Sequence, residues 1–194
     1  MASFFADPLG SGGTGGSFDL PTTPAVADST ALVGGVTLGI KVVPLVAGKF
    51  TGVKFYRSPD HDWSVAGAGP GWGTIWDQSG ALRASALYPL AAPSDTGWLT
   101  AMFPTPLDVD RYYWYIAATI TGLYSASYNF FYFRTLYDFA HQTTTGMNRP
   151  AAVMYSPPNH AMAPGNGRFD YGDTFPGSTY NATNYFIDVI FEPD

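Results

Sequence analysis

The sequence predicts an all-β chain built as an antiparallel sandwich, and three observations lead there. Period-two alternation runs through two neighbouring segments: Leu38, Ile40 and Val42 against Gly39, Lys41 and Val43, then Phe50, Gly52, Lys54 and Tyr56 against Lys49, Thr51, Val53 and Phe55. Short strand-like runs separated by turn residues recur from Val36 onward. No window shows a sustained helical stripe of apolar residues, so helical content is expected to be small.

Residues 1–19 read as a flexible N-terminal arm. Phe4 and Phe5 precede the tract Gly10-Ser-Gly-Gly-Thr-Gly-Gly-Ser17, whose composition is that of a flexible linker. The two phenylalanines are expected to dock on a neighbouring subunit with the glycines as tether, a frayed terminus being the plainer alternative. Residues 20–194 are expected to form one domain.

Strands at 36–43 and 48–57, joined at Ala47-Gly48, read as a sequential antiparallel pair. Further strands are expected at 72–77 and 82–88, joined at Ser79-Gly80, at 97–104 after Asp95-Thr-Gly97, and at 111–120 after Asp108-Val-Asp110. A closing strand is expected at 184–191. Residues 121–183 read as a long irregular connection, broken by Pro150, Pro157, Pro158, Pro164 and Pro176 and rich in aromatic residues. In Phe130–Gln142 the aromatics are so dense that helix and strand cannot be separated by period.

Composition narrows the function classes. The chain has 194 residues, 12% of them charged, about half the usual quarter for soluble domains. Aromatic residues make up 16%, more than one sandwich core holds comfortably, so some are expected to face a sugar, a partner or another subunit. A net charge of −6 with nine scattered basic residues argues against nucleic acid as a ligand. The absence of cysteine excludes disulfides and thiolate metal sites, leaving core burial or assembly as the source of stability. No stretch approaches the ~18 apolar residues of a membrane span, and the start Met-Ala-Ser-Phe-Phe-Ala-Asp-Pro does not read as a signal peptide.

Three segments together resemble one family. They are Leu38-Gly-Ile-Lys41 through Gly52-Val-Lys-Phe-Tyr56, then Gly73-Thr-Ile-Trp-Asp-Gln-Ser-Gly-Ala-Leu-Arg-Ala-Ser85 with Gly97-Trp98, and finally Phe175-Pro-Gly-Ser-Thr-Tyr-Asn-Ala-Thr-Asn-Tyr-Phe-Ile-Asp-Val-Ile-Phe191. In order and spacing they are similar to a bacterial domain family of unknown function, found beside carbohydrate-active and immunoglobulin-like modules in large secreted proteins. The resemblance covers roughly residues 20–192. It implies a jelly-roll sandwich like those of carbohydrate-binding modules, and no known enzymatic activity. A stand-alone copy without an export signal further resembles the minor tail or decoration proteins of bacteriophages. That implies a virion protein assembled in the host cytoplasm, a homo-oligomer among other virion proteins, with host glycan as a further contact.

Asp60-His61-Asp62 is the densest ionisable cluster and reads as a solvated turn, a cation site being the alternative. His141 and His160 stand alone and read as structural. No nucleophile elbow, zinc-protease motif or phosphate loop is present. Glycoside hydrolysis normally needs paired carboxylates, but Glu192 is the only glutamate. Asp170 and Asp173 are the remaining pair. Asp19, Asp28, Asp170, Asp173 and Asp188 are oxygen donors for a structural Ca2+, without a contiguous ligand loop. Asn181-Ala-Thr183 is a formal glycosylation acceptor that reads as a polar turn.

Exposed aromatics remain the main candidates for binding. Trp76, Trp98 and Trp114 alternate with polar residues and are expected inside. Trp63 and Trp72 bracket a Gly/Pro/Ala loop and are expected at a surface, where a flat ring can stack on sugar. Tyr124, Tyr128, Phe130, Phe131 and Tyr132 read as either a sugar platform or a subunit interface.

Overall fold

Alternation places one face of each long strand in a shared apolar interior, and the computed structural model confirms the all-β expectation. It describes residues 35–44, 47–111, 113, 115–128, 167–181 and 183–194, with strand backbone also at 16–17, 26–28 and 153–155. The strands are β1 (Gly16–Ser17), β2 (Val26–Asp28), β3 (Val36–Pro44), β4 (Gly48–Arg57), β5 (Trp72–Asp77), β6 (Leu82–Leu87), β7 (Gly97–Val109), β8 (Tyr115–Thr121), β9 (Tyr124–Ala126), β10 (Val153–Tyr155), β11 (Gly167–Tyr171) and β12 (Ile187–Pro193). Among the described residues there is no helix, and so none long and apolar enough to cross a membrane.

One sheet has the order β1-β12-β4-β7 and the other β10-β3-β8-β5-β6, with β11 also pairing with β3; β2 and β9 form a small third sheet. All these pairings are antiparallel. Leu38, Ile40, Val42, Ile75 and Ala117 of the larger sheet share one core with Val53, Phe55, Ala101, Ile187 and Val189 of the smaller. Phe50 of β4 meets Tyr115 of β8 edge-on at 5.4 Å, and Tyr88 bonds Thr119 inside the core at 2.8 Å.

The pairing expected between 36–43 and 48–57 is corrected. β3 pairs with β8, β10 and β11, whereas β4 pairs with β7 and β12, so the two consecutive strands sit in different sheets. Burial explains it: every residue of β3 and nearly all of β4 are buried, which suits the interior of a sheet better than a hairpin with a wet face. The strand expected at 97–104 runs on to Val109. Pro104 and Pro106 do not end it, because β7 is an edge strand and the prolines fall in a bulge between the pairs Gly52↔Met102 and Phe50↔Leu107. The closing strand begins at Ile187 rather than 184, since Phe186 has φ 55°, outside the extended region.

The β5–β6 turn forms where Ser79-Gly80 predicts it. Asp77 Oδ1 accepts from the Ser79 amide and hydroxyl and from the Ala81 amide, while Oδ2 pairs with Arg83 at 3.0 Å. Those bonds hold the Asp77 carboxyl at about 2, the Ser79 hydroxyl contributing most. Gly80 has φ 82°, where a side chain would be strained.

The face of β3 turned away from the core is also buried, and Lys41 on it is fully so. Burial, with the Arg168 charge nearby, pushes Lys41 down to about 8 from 10.5. Between those values the unfolded chain binds more protons than the folded one, so stability rises with pH. Tyr185, raised to about 12 chiefly by burial, and Tyr88, raised further by burial, act oppositely above their unfolded value of 10. Urea unfolding is therefore expected to show stability climbing with pH from about 8, peaking near 10 and then falling. Lys41→Met should lack the climb; a wild-type curve flat from pH 8 to 10 would refute this assignment.

Candidate functional site

Five tyrosines converge where the chain enters and leaves β9, β11 and β12. Three backbone connections set their positions. Ser127 and Asn184 exchange amide bonds of 2.9 and 3.0 Å, Phe169 and Ser178 exchange bonds of 3.0 Å, and the Thr183 amide donates to Tyr180 O at 3.1 Å. Asn181 closes that last turn with φ 45°, a conformation asparagine tolerates better than most residues. The turn expected from Asn181-Ala-Thr183 is thus present.

On this frame Tyr124 packs edge-on against Tyr185 at 5.8 Å, Tyr128 against Tyr180 at 5.8 Å, and Tyr171 against Phe169 at 6.0 Å. Tyr185 is the buried centre. Burial pushes its phenol up to about 12, a hydrogen bond with Thr183 opposes the rise, and the phenols of Tyr128, Tyr171 and Tyr180 add to it. Those three lie within electrostatic reach of Tyr185, and they are exposed: Tyr171 by 71%, Tyr180 by 52% and Tyr128 by 43%. Three exposed phenols near a buried fourth offer both ring surface and hydroxyls to solvent. Ser178, Thr179, Asn181 and Asp173 are exposed beside them in sequence.

The sequence candidates divide across the structure. Tyr124 and Tyr128 belong to this face. Phe130, Phe131 and Tyr132 lie outside the described residues, as do Phe4, Phe5, His141, His160, Trp114 and the segment 130–142. Trp72 is 42% exposed at the start of β5, away from the tyrosines in the chain. The surface position expected for Trp63 is corrected. Its ring is only 6% exposed, packs edge-on against Phe55 and His61, and is covered by the Arg57 guanidinium at 4.6 Å. Its indole donates to Ser58 O at 2.8 Å, so neither the ring face nor the N–H is open to a sugar. Trp76 and Trp98 are half-buried.

Asp60, His61 and Asp62 diverge. His61 is buried, with Nε2 3.1 Å from Ser125 Oγ on β9, while the two aspartates are exposed. Asp60 accepts from the Ser58 hydroxyl, and Asp62 from the Ser64 amide and hydroxyl, bonds that lower its pKa. The solvated turn expected here holds for the two aspartates, whereas His61 is corrected to a buried residue packed on Trp63 and bonded to Ser125. Asp170 and Asp188 lie in different sheets, and the side chains of Asp19 and Asp28 are outside the described residues. Among the described residues, no three His, Asp or Glu side chains gather closely enough to hold a metal ion.

Sequence reasoning missed Tyr171, Tyr180 and Tyr185. A weak signal existed in Gly167-Arg-Phe-Asp-Tyr171, where aromatic and charged residues alternate as in a strand, yet this run follows a proline-rich stretch and reads as loop. Comparison with curated proteins and with solved structures gives no match. Comparison with known families matches residues 21–187 to the Domain of unknown function (DUF4082). Because that match covers most of the chain, as far as the first residue of β12, the protein belongs to the DUF4082 family.

Proposed function

We propose that this chain is a non-enzymatic recognition protein, a jelly-roll sandwich of the kind carbohydrate-binding modules use, and that it contacts glycan through its tyrosine face. The observation behind this reading is the group Tyr128, Tyr171 and Tyr180, all exposed near buried Tyr185. Exposed phenols of this kind offer sugar both an apolar ring face and a hydroxyl for hydrogen bonding. The divergence of Asp60, His61 and Asp62 also favours binding over catalysis, which needs convergent acid and base groups. A glycan microarray tests the reading. The full chain should retain one or more neutral glycans, and the variant carrying Tyr128→Ala, Tyr171→Ala and Tyr180→Ala should retain none while remaining folded. An array blank for the wild type would refute it.

A second reading, a minor tail or decoration subunit of a bacteriophage virion, has its own support. The two sheets end in the edge strands β6 and β7, which carry exposed Leu82, Leu87 and Met102. Apolar side chains on edge strands suit burial between copies of a homo-oligomer or against other virion proteins. Light scattering should then give a defined oligomer that loosens when residues 1–17 are deleted, the arm acting by raising effective concentration. A monomer in both forms would remove the case for self-assembly.

A further inference from the structure

A cleft of about 310 Å3 opens between the segment following β4, the segment following β6 and the beginning of β7. Its lining includes Trp63, Pro70, Leu87, Leu90 and Leu99, and among the described residues Arg57 is the one charged side chain in it. The two leucines at 87 and 90 are exposed, Leu90 completely, so the rim is apolar. Arg57 is the opposite case: a charged side chain only 2% exposed.

The contacts of that guanidinium are few. Nη1 donates to Ala92 O at 2.9 Å, and one face lies on the Trp63 ring. Nε is buried without a hydrogen-bond partner among the described residues. Among the described residues Arg57 has no carboxylate within ion-pairing distance. Asp95 acts on it only from farther away, and Asp95 Oδ2 is engaged by the Ala92 amide at 2.8 Å. Burial lowers the Arg57 pKa and Asp95 only partly restores it. An arginine remains charged under these conditions, and a buried charge is normally matched by an opposite one. Arg57 is among the residues that line the cleft.

We propose that this cleft binds a carboxylate carried on a small apolar or sugar ring, with Arg57 taking the carboxylate and Leu87, Leu90 and Leu99 packing on the ring. The planar guanidinium fork matches a carboxylate, whereas a doubly charged phosphate would call for a second cation, and the described lining holds none. The volume is at the small end of ligand pockets and suits one ring. This site is separate from the tyrosine face, and its test does not depend on glycan retention there.

Calorimetry on the full chain would use sodium glucuronate and sodium cyclohexanecarboxylate, with glucose and cyclohexanemethanol as neutral counterparts. At least one carboxylate should bind at about millimolar concentration, and its neutral counterpart at least ~10-fold more weakly. Binding of glucuronate alone would identify a sugar acid, of cyclohexanecarboxylate alone a small organic acid, and of both a carboxylate on either ring. Arg57→Lys should weaken binding by ~10-fold through loss of the fork. Because a change at Arg57 risks the fold, Leu90→Asp is the second variant: fully exposed, it should leave the melting temperature unchanged while its carboxylate competes for Arg57 and weakens binding by ~10-fold. No carboxylate binding, equal binding of the neutral counterparts, or an unchanged affinity in Leu90→Asp would each overturn the proposal.

Discussion

Phe50→Ala is expected to lower stability by about 3–5 kcal/mol, enough to take roughly 10 °C from the melting temperature of a chain this size. Phe50 is completely buried and joins both sheets, meeting Tyr115 of β8 at 5.4 Å and Phe191 of β12 at 5.8 Å. Truncation removes the transfer energy of the ring, opens a cavity and abolishes two edge-on aromatic contacts at once. Neighbours cannot close the gap easily, because they belong to separate hydrogen-bonded sheets. Phe50→Leu, which keeps most of the volume, should cost much less. Urea unfolding of both variants checks the assignment, and a loss below about 1 kcal/mol for Phe50→Ala would place Phe50 outside the core.

Gly73→Leu is expected to be nearly as damaging, by the opposite route. A Cβ at Gly73 of β5 would stand 2.9 Å from Ala101 Cβ, 3.1 Å from Val53 Cβ and 3.3 Å from the Tyr88 hydroxyl. Ala101 and Val53 belong to the facing sheet and are short, so neither can swing aside. The full leucine would force the sheets apart, at about 3 kcal/mol, the upper end of ordinary overpacking penalties. Gly69→Leu is the control, since nothing lies within 4 Å of a Cβ there. If Gly73→Leu and Gly69→Leu unfold at the same urea concentration, the close approach of the two sheets at Gly73 is wrong.

These two residues also show where sequence reasoning succeeds and where it stops. The alternation around Phe50 reports which face of β4 enters the core, because side-chain period is a local property. Sheet membership is not local. Ala47-Gly48 looks like a hairpin turn, yet β3 and β4 pair with partners tens of residues away. Their burial on both faces is the feature that decides it, and burial depends on elements the local pattern does not contain. The continuation of β7 past 104 escapes the local pattern for a related reason: prolines are tolerated at a bulge on an edge strand, and position within the sheet appears only after folding.

The tyrosine face was half legible. Tyr124 and Tyr128 stand out as part of an aromatic-rich stretch, whereas Tyr171, Tyr180 and Tyr185 reach them through the Ser127–Asn184 and Phe169–Ser178 bridges. Nothing in residue spacing announces those bridges. Trp63 fails as a surface residue because Arg57, six positions earlier, folds over its ring. Loop composition around Trp63 suggests exposure, but a cation stacked on an indole is a tertiary contact.

The measurement that bears most directly on the account is the affinity of the full chain for its best-retained neutral glycan, compared by calorimetry with the variant carrying Tyr128→Ala, Tyr171→Ala and Tyr180→Ala. The tyrosine-face reading predicts at least a ~10-fold loss, equivalent to about 1.4 kcal/mol, with the urea midpoint little changed because all three side chains are exposed. Equal affinity in the folded variant would contradict it.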